Sequence, residues 1–397
     1  MIVAFFLYMF AFVSCQLVSC MSILYVFNPE HDLSLANGSP FFNAPLSAQQ
    51  FAKDCSYLLS WMFDDGYVLV DEKEVGYGNL ENVCSEELSS LAIDKIVPWG
   101  WDAMLVNTLQ KLGVESALLP TAEQQNIIRT LSHRQTAIDA LKWIKTQIPL
   151  DVELPSFMTN SSEAKVFFEN VANRNAVYKM PWSGSGKGIR YCVDTLTEND
   201  LKWLENVVVK QGGVVGERYY DVVQNFAMEF CVTDKVEFVG YSLFDTQNGS
   251  YKSSALVSDA VAVERLSKWV VVDVLEQCKA AIIRYFSECL LQKYEGYFGV
   301  DMFVYSDGND YKLHPIVEVN FRLTMGVVAC KIRERLLEND NMNMYVYYNK
   351  STENLKEYCA NLQQNNPLIR SENGKIKLGY FALTPIGNQT HYHIYLL

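Results

Sequence analysis

Val177-Tyr178-Lys179-Met180-Pro181-Trp182-Ser183-Gly184-Ser185-Gly186-Lys187-Gly188, followed by Ile189-Arg190-Tyr191-Cys192-Val193, reads as strand, glycine-rich loop, strand. Without Cβ atoms, Gly184, Gly186 and Gly188 let the backbone approach an anion closely and aim several N–H groups at it. Ser183 and Ser185 add hydroxyl donors, and Lys179 at the strand end and Lys187 in the loop add point charges suited to phosphate. The pattern is not a Walker A loop, because Pro181 stands at the first glycine position, Gly188 follows Lys187 and a strand comes next. Nor is it a dinucleotide fingerprint, since Ile189 occupies the third glycine position. Taken alone, the stretch is also compatible with a flexible hairpin loop carrying an incidental lysine.

A second stretch narrows the choice. Residues 311–319, Tyr-Lys-Leu-His-Pro-Ile-Val-Glu-Val, predict a buried strand, so Glu318, Asn320 and Arg322 share one face at period two while Val319 and Phe321 take the other. Magnesium prefers oxygen ligands and keeps company with substrate phosphates, so Glu318 and Asn320 suit a metal and Arg322 a phosphate. The plain alternative is the solvated face of an antiparallel strand. A third carboxylate, Asp301, lies in the strand pattern 297–305, joined to the next strand through the turn signal Asp307-Gly308. If Tyr305 pairs with Tyr311, Asp301 faces away from Glu318; a one-residue shift or a bulge, for which Pro315 is the natural place, brings them together.

Taken in order, these motifs resemble the ATP-grasp superfamily of carboxylate–amine/thiol ligases, over roughly residues 120–335. The resemblance implies ATP and Mg²⁺ as cofactors, with Lys179 as the second phosphate cation, residues 183–188 as the flexible loop, and Asp301, Glu318 and Asn320 as metal ligands. Arg322 matches an arginine placed near the transferred phosphate. Arg134, in Ser132-His133-Arg134, stands where the family usually has a lysine; arginine keeps the charge and alters the geometry. The adenine hinge resembles Val214-Val215-Gly216-Glu217-Arg218-Tyr219, with backbone groups near Val215 and Arg218, and Glu217, toward the base or ribose. Glu229 matches a second acidic position. The implied activity is a two-step ligation: a carboxylate becomes an acyl phosphate, then an amine or similar nucleophile displaces phosphate, with Lys179 and Arg322 offsetting charge.

The expected fold class is α/β with α+β lobes: an open α/β pre-domain followed by a two-lobed ATP-grasp fold. A chain of 397 residues, 49% hydrophobic, is long enough for several such units. Residues 21–120 predict the pre-domain, with strands 23–27, 67–70 and 95–98 and helices 47–64 and 102–112. The central lobe is expected over 121–215 and the C-terminal lobe over 216–397, with a long helix from Glu264 to Lys293. In open α/β sheets ligands bind beyond the carboxyl ends of strands. That rule directs attention to Asn28-Pro29-Glu30-His31-Asp32 and to Trp99-Gly100-Trp101-Asp102 as an acceptor site, although Asp32 and Asp102 also suit helix caps and His31 a loop histidine. Loop 247–254, with Tyr251 and Lys252, is a further candidate for acceptor choice. His391 and His393 share a strand face without a third metal ligand nearby.

Residues 1–20 form an apolar leader that imitates a lipoprotein signal at Leu17-Val18-Ser19-Cys20 but contains no Lys or Arg. A start assigned upstream of Met21 fits a cytoplasmic enzyme; an exported lipoprotein is the alternative. The 10 cysteines include no Cys-x-x-Cys pair and several sit in apolar runs, as reduced thiols do. A formal charge of −13 argues against a nucleic-acid partner, and no stable membrane association is expected. The partners implied are a small-molecule or peptide carboxylate and an amine-type acceptor. A phosphotransferase on the same lobes, and a non-catalytic or exported binding protein, are the other two classes.

Overall fold

The protein is described by a computed structural model over residues 21–397, apart from Val75, Ser185, Lys187, Asn248, Gly249 and the side chain of Ser250. The leader, Cys20 included, and two of the proposed phosphate-loop residues, Ser185 and Lys187, therefore lie outside the described residues. Among the described residues, no helix is long and apolar enough to cross a membrane.

The N-terminal sheet contains β1 (Ile23–Val26), β2 (Tyr67–Leu69), β3 (Glu81–Val83) and β4 (Lys95–Pro98), all parallel in the order β3-β2-β1-β4. Period two divides it: Leu24, Val26 and Ile96 pack with Leu105, Val106 and Leu109 of α3 (Ala103–Lys111), while Tyr25 and Phe27 join a different core. α1 (His31–Asn37) and α2 (Leu46–Asp54) follow β1. The single helix expected over 47–64 is two pieces, because after Cys55 the chain tightens into a 3-10 turn, Ser56–Trp61. All six residues of that turn are buried, which one continuous helix, exposing a solvent face, does not allow.

α4 (Ala122–Leu131) and α5 (Gln135–Gln147) lead into β5 (Ser156–Met158), α6 (Ser161–Asn170), β6 (Asn175–Lys179), β7 (Ile189–Val193), α7 (Glu198–Gln211) and β8 (Val214–Arg218). The four strands form an antiparallel sheet, β5-β8-β6-β7, covered by α6 and α7. β6 and β7 are the expected hairpin; Tyr178 is fully buried and donates its hydroxyl to Ala164 O at 2.7 Å.

The largest sheet has eight strands in the order β13-β12-β9-β10-β11-β14-β18-β17. These are β9 (Asp221–Val232), β10 (Val236–Gln247), β11 (Ser250–Leu256), β12 (Gly296–Asp307), β13 (Asp310–Asn320), β14 (Met342–Tyr348), β17 (Phe381–Ala382) and β18 (Tyr392–Leu396); β15 (Ile369–Arg370) and β16 (Ile376–Leu378) pair separately. Its helices are α8 (Asp259–Leu266), α9 (Val272–Leu290), α10 (Met325–Leu336) and α11 (Thr352–Asn365). The helix expected from Glu264 to Lys293 is thus broken between α8 and α9, where extended Val271 redirects the chain and Leu266 and Val270 both reach the core.

Register decides what β12 and β13 present. The hairpin closes through Gly308 and Asn309, between paired Asp307 and Asp310, with Gly308 at φ 70°. Tyr311 therefore pairs with Ser306 rather than Tyr305, and this one-residue shift sets Asp301 on the Glu318 face. Between Phe303↔His314 and Asp301↔Glu318, one residue of β12 opposes three of β13, Pro315 to Val317. The bulge starts at the proline, which has no N–H for the ladder, and it places Asp301 directly opposite Glu318.

One core unites the N-terminal sheet with the large one: Tyr57, Leu58 and Met62 pack with Val327, Val328 and Ile332 of α10 and with Ile394 and Leu396 of β18. Leu58→Ala is expected to lower the unfolding free energy by about 3 kcal/mol, with both regions melting in one transition. Urea unfolding followed by tryptophan fluorescence and by far-UV circular dichroism checks this; two separated transitions contradict it.

Candidate functional site

Asp301, in the middle of β12, and Glu318 and Asn320, at the end of β13, project from one face, since Asp301 pairs with Glu318 and Gly299 with Asn320. Two carboxylates set face to face repel, and burial adds to that. Burial first, then Glu318, pushes the Asp301 carboxyl up to about 7, with Arg322 acting against both. Asn320 donates Nδ2 to Asp301 Oδ2 at 3.1 Å and accepts Arg322 Nη2 on Oδ1 at 3.0 Å.

Two cations, Arg134 and Arg322, stand at this pair, and these and Lys179 each rest on a carboxylate. Arg134, at the start of α5, is 6% exposed: Nε donates to Met180 O at 2.9 Å, Nη2 to Ser183 Oγ at 3.1 Å, and Nη1 lies 3.0 Å from Glu318 Oε2. It bridges the chain after β6 to the acidic strand β13. Lys179 ends β6 and pairs with Glu217 of β8, both buried. Arg322, just past β13, grips Asp32 of α1 through Nε and Nη2, the shortest contact being 2.9 Å. Burial works to raise the Asp32 pKa, but the charge and hydrogen bonds of Arg322 work against it, and the carboxyl is held below its ordinary range.

Gly184 of the glycine loop lies against this corner. A Cβ on Gly184 would stand 2.4 Å from Asp32 Oδ2, so only glycine lets the loop lie on the Asp32–Arg322 pair. Gly186 and Gly188 have φ of 69° and 88°, and Gly188 O accepts Met180 N at 2.8 Å to close the loop's base. Trp182 is fixed by Nε1 donating to Arg129 O at 2.8 Å, under the Arg129 guanidinium.

The hinge residues sit apart from one another in role. Val215 is buried beside Lys179 in the β6–β8 ladder. The Arg218 side chain leaves the site for Glu153 and Asp307, at 3.4 and 3.3 Å. Glu229 does not line open space: it is 1% exposed, accepts Thr324 Oγ1 at 2.8 Å, and abuts Gly326, where a Cβ would come within 1.8 Å of its Oε1. Burial pushes its carboxyl up to about 8. His314, which the sequence reading did not single out, lies four residues before Glu318 with both ring nitrogens buried and unpartnered, and burial and then Lys179 hold its pKa down to about 3. Its signal was a lone polar residue inside an apolar strand.

In the N-terminal lobe Asn28, His31 and Asp102 form one buried network behind Gly100, and Glu30 lies beside it. Trp101 lines a cavity of about 560 Å³ together with Gly100, Gln124, Tyr294 and Arg322. Lys252 is a correction. It falls in β11 rather than a loop, as the extra residue of a bulge, exposed, with β9 and β10 between its strand and β12, because the β-rich run 250–256 pairs with β10 and β14. Among the described residues no trio of His, Cys, Asp and Glu suits a metal. His393 is held by Tyr380 and Thr384, and His391 by Asn349 O.

No family model matches the chain and no curated protein matches it. Solved structures do. An N5-carboxyaminoimidazole ribonucleotide synthetase in complex with ADP shares 14% identity, covering 94% of this chain and 92% of its own, at a TM-score of 0.50. The chain shares the fold of that synthetase. Two further likenesses are the synthetase from Staphylococcus aureus complexed with ADP, 14% identical over 95% of this chain and 92% of that one at TM-score 0.49, and an Archaeoglobus fulgidus protein described as ATP-grasp, 13% identical over 90% and 99% at 0.44.

A carboxyl whose folded pKa is raised from 4.5 to about 8 binds its proton more tightly in the folded chain. Its stabilising contribution is complete below about 4.5 and disappears as pH rises to about 8. Glu229→Gln, which does not ionise, is therefore expected to gain stability on the wild type steadily across that window. Thermal melts of both proteins across the window, showing a constant gap, contradict the assignment.

Proposed function

We propose that the chain is an ATP- and Mg²⁺-dependent ligase that activates a carboxylate as an acyl phosphate and joins it to an amine. One observation carries the reading: Arg134 ties Ser183 of the glycine loop to Glu318, so the start of that loop and a buried cation meet the opposed Asp301–Glu318 pair. The synthetase of the same fold is described with ADP bound, which supports a nucleotide here.

The donor set fits a divalent ion: hard oxygens from Asp301, Glu318 and Asn320, with an Asp301 proton that a cation would displace. Bound there, the ion would supply charge neutralisation for the phosphates. The rest falls to the chain's own residues. Arg134 and Lys179 would exchange Glu318 and Glu217 for phosphate oxygens, leaving the Glu318 carboxylate as one of the oxygens that would hold a divalent ion. Arg322, gripping an internal carboxylate in the ligand-free chain, has the geometry to hold the transferring phosphoryl group or the substrate carboxylate bidentately. The loop at Gly184 covers that point and keeps water from the acyl phosphate. Arg322 also lines the 560 Å³ cavity, which offers room for a small substrate. On this reading the cytoplasm, where ATP is, is the place of action.

Phosphate and ADP release from Mg-ATP, screened across amino acids and small peptides, tests the proposal, and product analysis separates a ligated from a phosphorylated product. Glu318→Gln is expected to lose at least about a hundredfold in turnover and to fold with a lowered melting temperature, because Arg134 loses its balancing charge. Lys179→Ala also loses turnover, and it costs about 3 kcal/mol of stability because Glu217 is left buried and unpaired. Wild-type turnover in Glu318→Gln removes the site assignment.

A further inference from the structure

Asp102 organises the buried network behind β4. Its Oδ1 accepts Ser34 Oγ at 2.6 Å and Leu105 N at 3.0 Å; its Oδ2 accepts Asn28 Nδ2 at 3.1 Å and faces His31 Nδ1 at 3.3 Å. A carboxylate engaged four times is an acceptor throughout, so the His31 proton belongs on Nδ1 and the lone pair on Nε2. His31 is 1% exposed, and Nε2 has no partner. Next to it in the chain, Glu30 Oε2 is also buried without one. Burial pushes the Glu30 carboxyl up to about 7, so it is ready to give up its proton to a cationic N–H group that fills the place beside the unmet His31 acceptor.

Their position fits the chemistry. The His31 ring lies against Gly100, where a Cβ would come within 2.6 Å of it, and Gly100 lines the cavity on which Arg322 also opens. Asp32, the next residue, holds Arg322 beneath the glycine loop. Glu30 and His31 are not themselves part of the cavity's lining; they stand one residue back from it, behind Gly100 and next in the chain to the Asp32 that holds Arg322.

We infer that Glu30 and His31 seat the acceptor amine and that His31 Nε2 takes its proton, an inference that rests on the ligase reading. The amine lone pair forms the C–N bond at the acyl carbon. The carbon–oxygen bond to phosphate breaks, phosphate leaves with the electron pair, and the surplus amine proton passes to Nε2. Asp102 stabilises the imidazolium, which returns the proton to water as product departs. Asp102 does not touch the amine and acts by positioning His31.

The test uses the full chain with Mg-ATP and each carboxylate of the screen, with either ammonium chloride or hydroxylamine as acceptor. Hydroxylamine is already neutral at pH 7 and traps acyl phosphates without a base. His31→Gln is expected to slow amide formation from ammonium about a hundredfold, to flatten the acid limb of its pH profile, and to slow hydroxamate formation far less. Glu30→Gln is expected to raise KM for ammonium more than it lowers kcat. Equal losses with both acceptors mark His31 as structural and overturn the inference, as does no loss with either. A wild type that forms hydroxamate but accepts neither ammonium nor any amine in the screen also overturns it. If no carboxylate yields hydroxamate, the ligase reading itself fails, which the other outcomes leave intact.

Discussion

The guanidinium of Arg134 is the joint on which the site depends. It is almost wholly buried, and its nitrogens reach the chain leaving β6, the first serine of the glycine loop and the acidic strand β13. Burying a charge is tolerable only when its bonds are made elsewhere. Arginine can do this because its planar fork serves several acceptors at once, whereas a lysine ammonium presents a compact point charge. Arginine at position 134 is thus the feature that ties two lobes together.

Around that joint the protein is electrostatically self-contained. Glu318, Glu217 and Asp32 each occupy a cation that the proposed chemistry assigns to phosphate or carboxylate. Internal carboxylates standing where anions belong keep three buried cations from being left bare, and they can be exchanged one for one when a polyanion arrives. Asp301 differs, since burial and the facing Glu318 push its carboxyl up to about 7. The site is therefore balanced around an anion and short of a cation, the combination that a metal–triphosphate supplies together.

The core explains how residues this far apart stay in register. The 3-10 turn at Ser56–Trp61 wedges between the parallel sheet and α10, and Leu323 N bonds Trp99 O at 2.7 Å where β13 runs out beside β4. That contact places Arg322 next to Asp32 across 290 residues. Glu229 sits below, buried under Thr324 and Gly326, as a packed foundation for the end of β12 rather than a wall of the site.

Local pattern was enough to reveal the hairpin of β6 and β7, the strand bearing Glu318 and the cap at Asp102, because glycine spacing, period-two alternation and capping chemistry act within a few residues. Helix continuity was not legible at Cys55 or Val271: both helical patterns persist in the sequence, and only the need to bury Ser56–Trp61, Leu266 and Val270 against distant partners breaks them. Lys252 was misjudged for the same reason, since a strand's neighbours are chosen by the sheet and not by its own residues. The sequence by itself determined which chemical groups the chain owns and the order of its strands and loops. Tertiary structure alone decided that Asp301 faces Glu318, through a one-residue shift at Gly308 and a bulge at Pro315, and that Asp32, Arg322 and Gly184 meet, because register and long-range ion pairing are set by packing between segments that share no local signal.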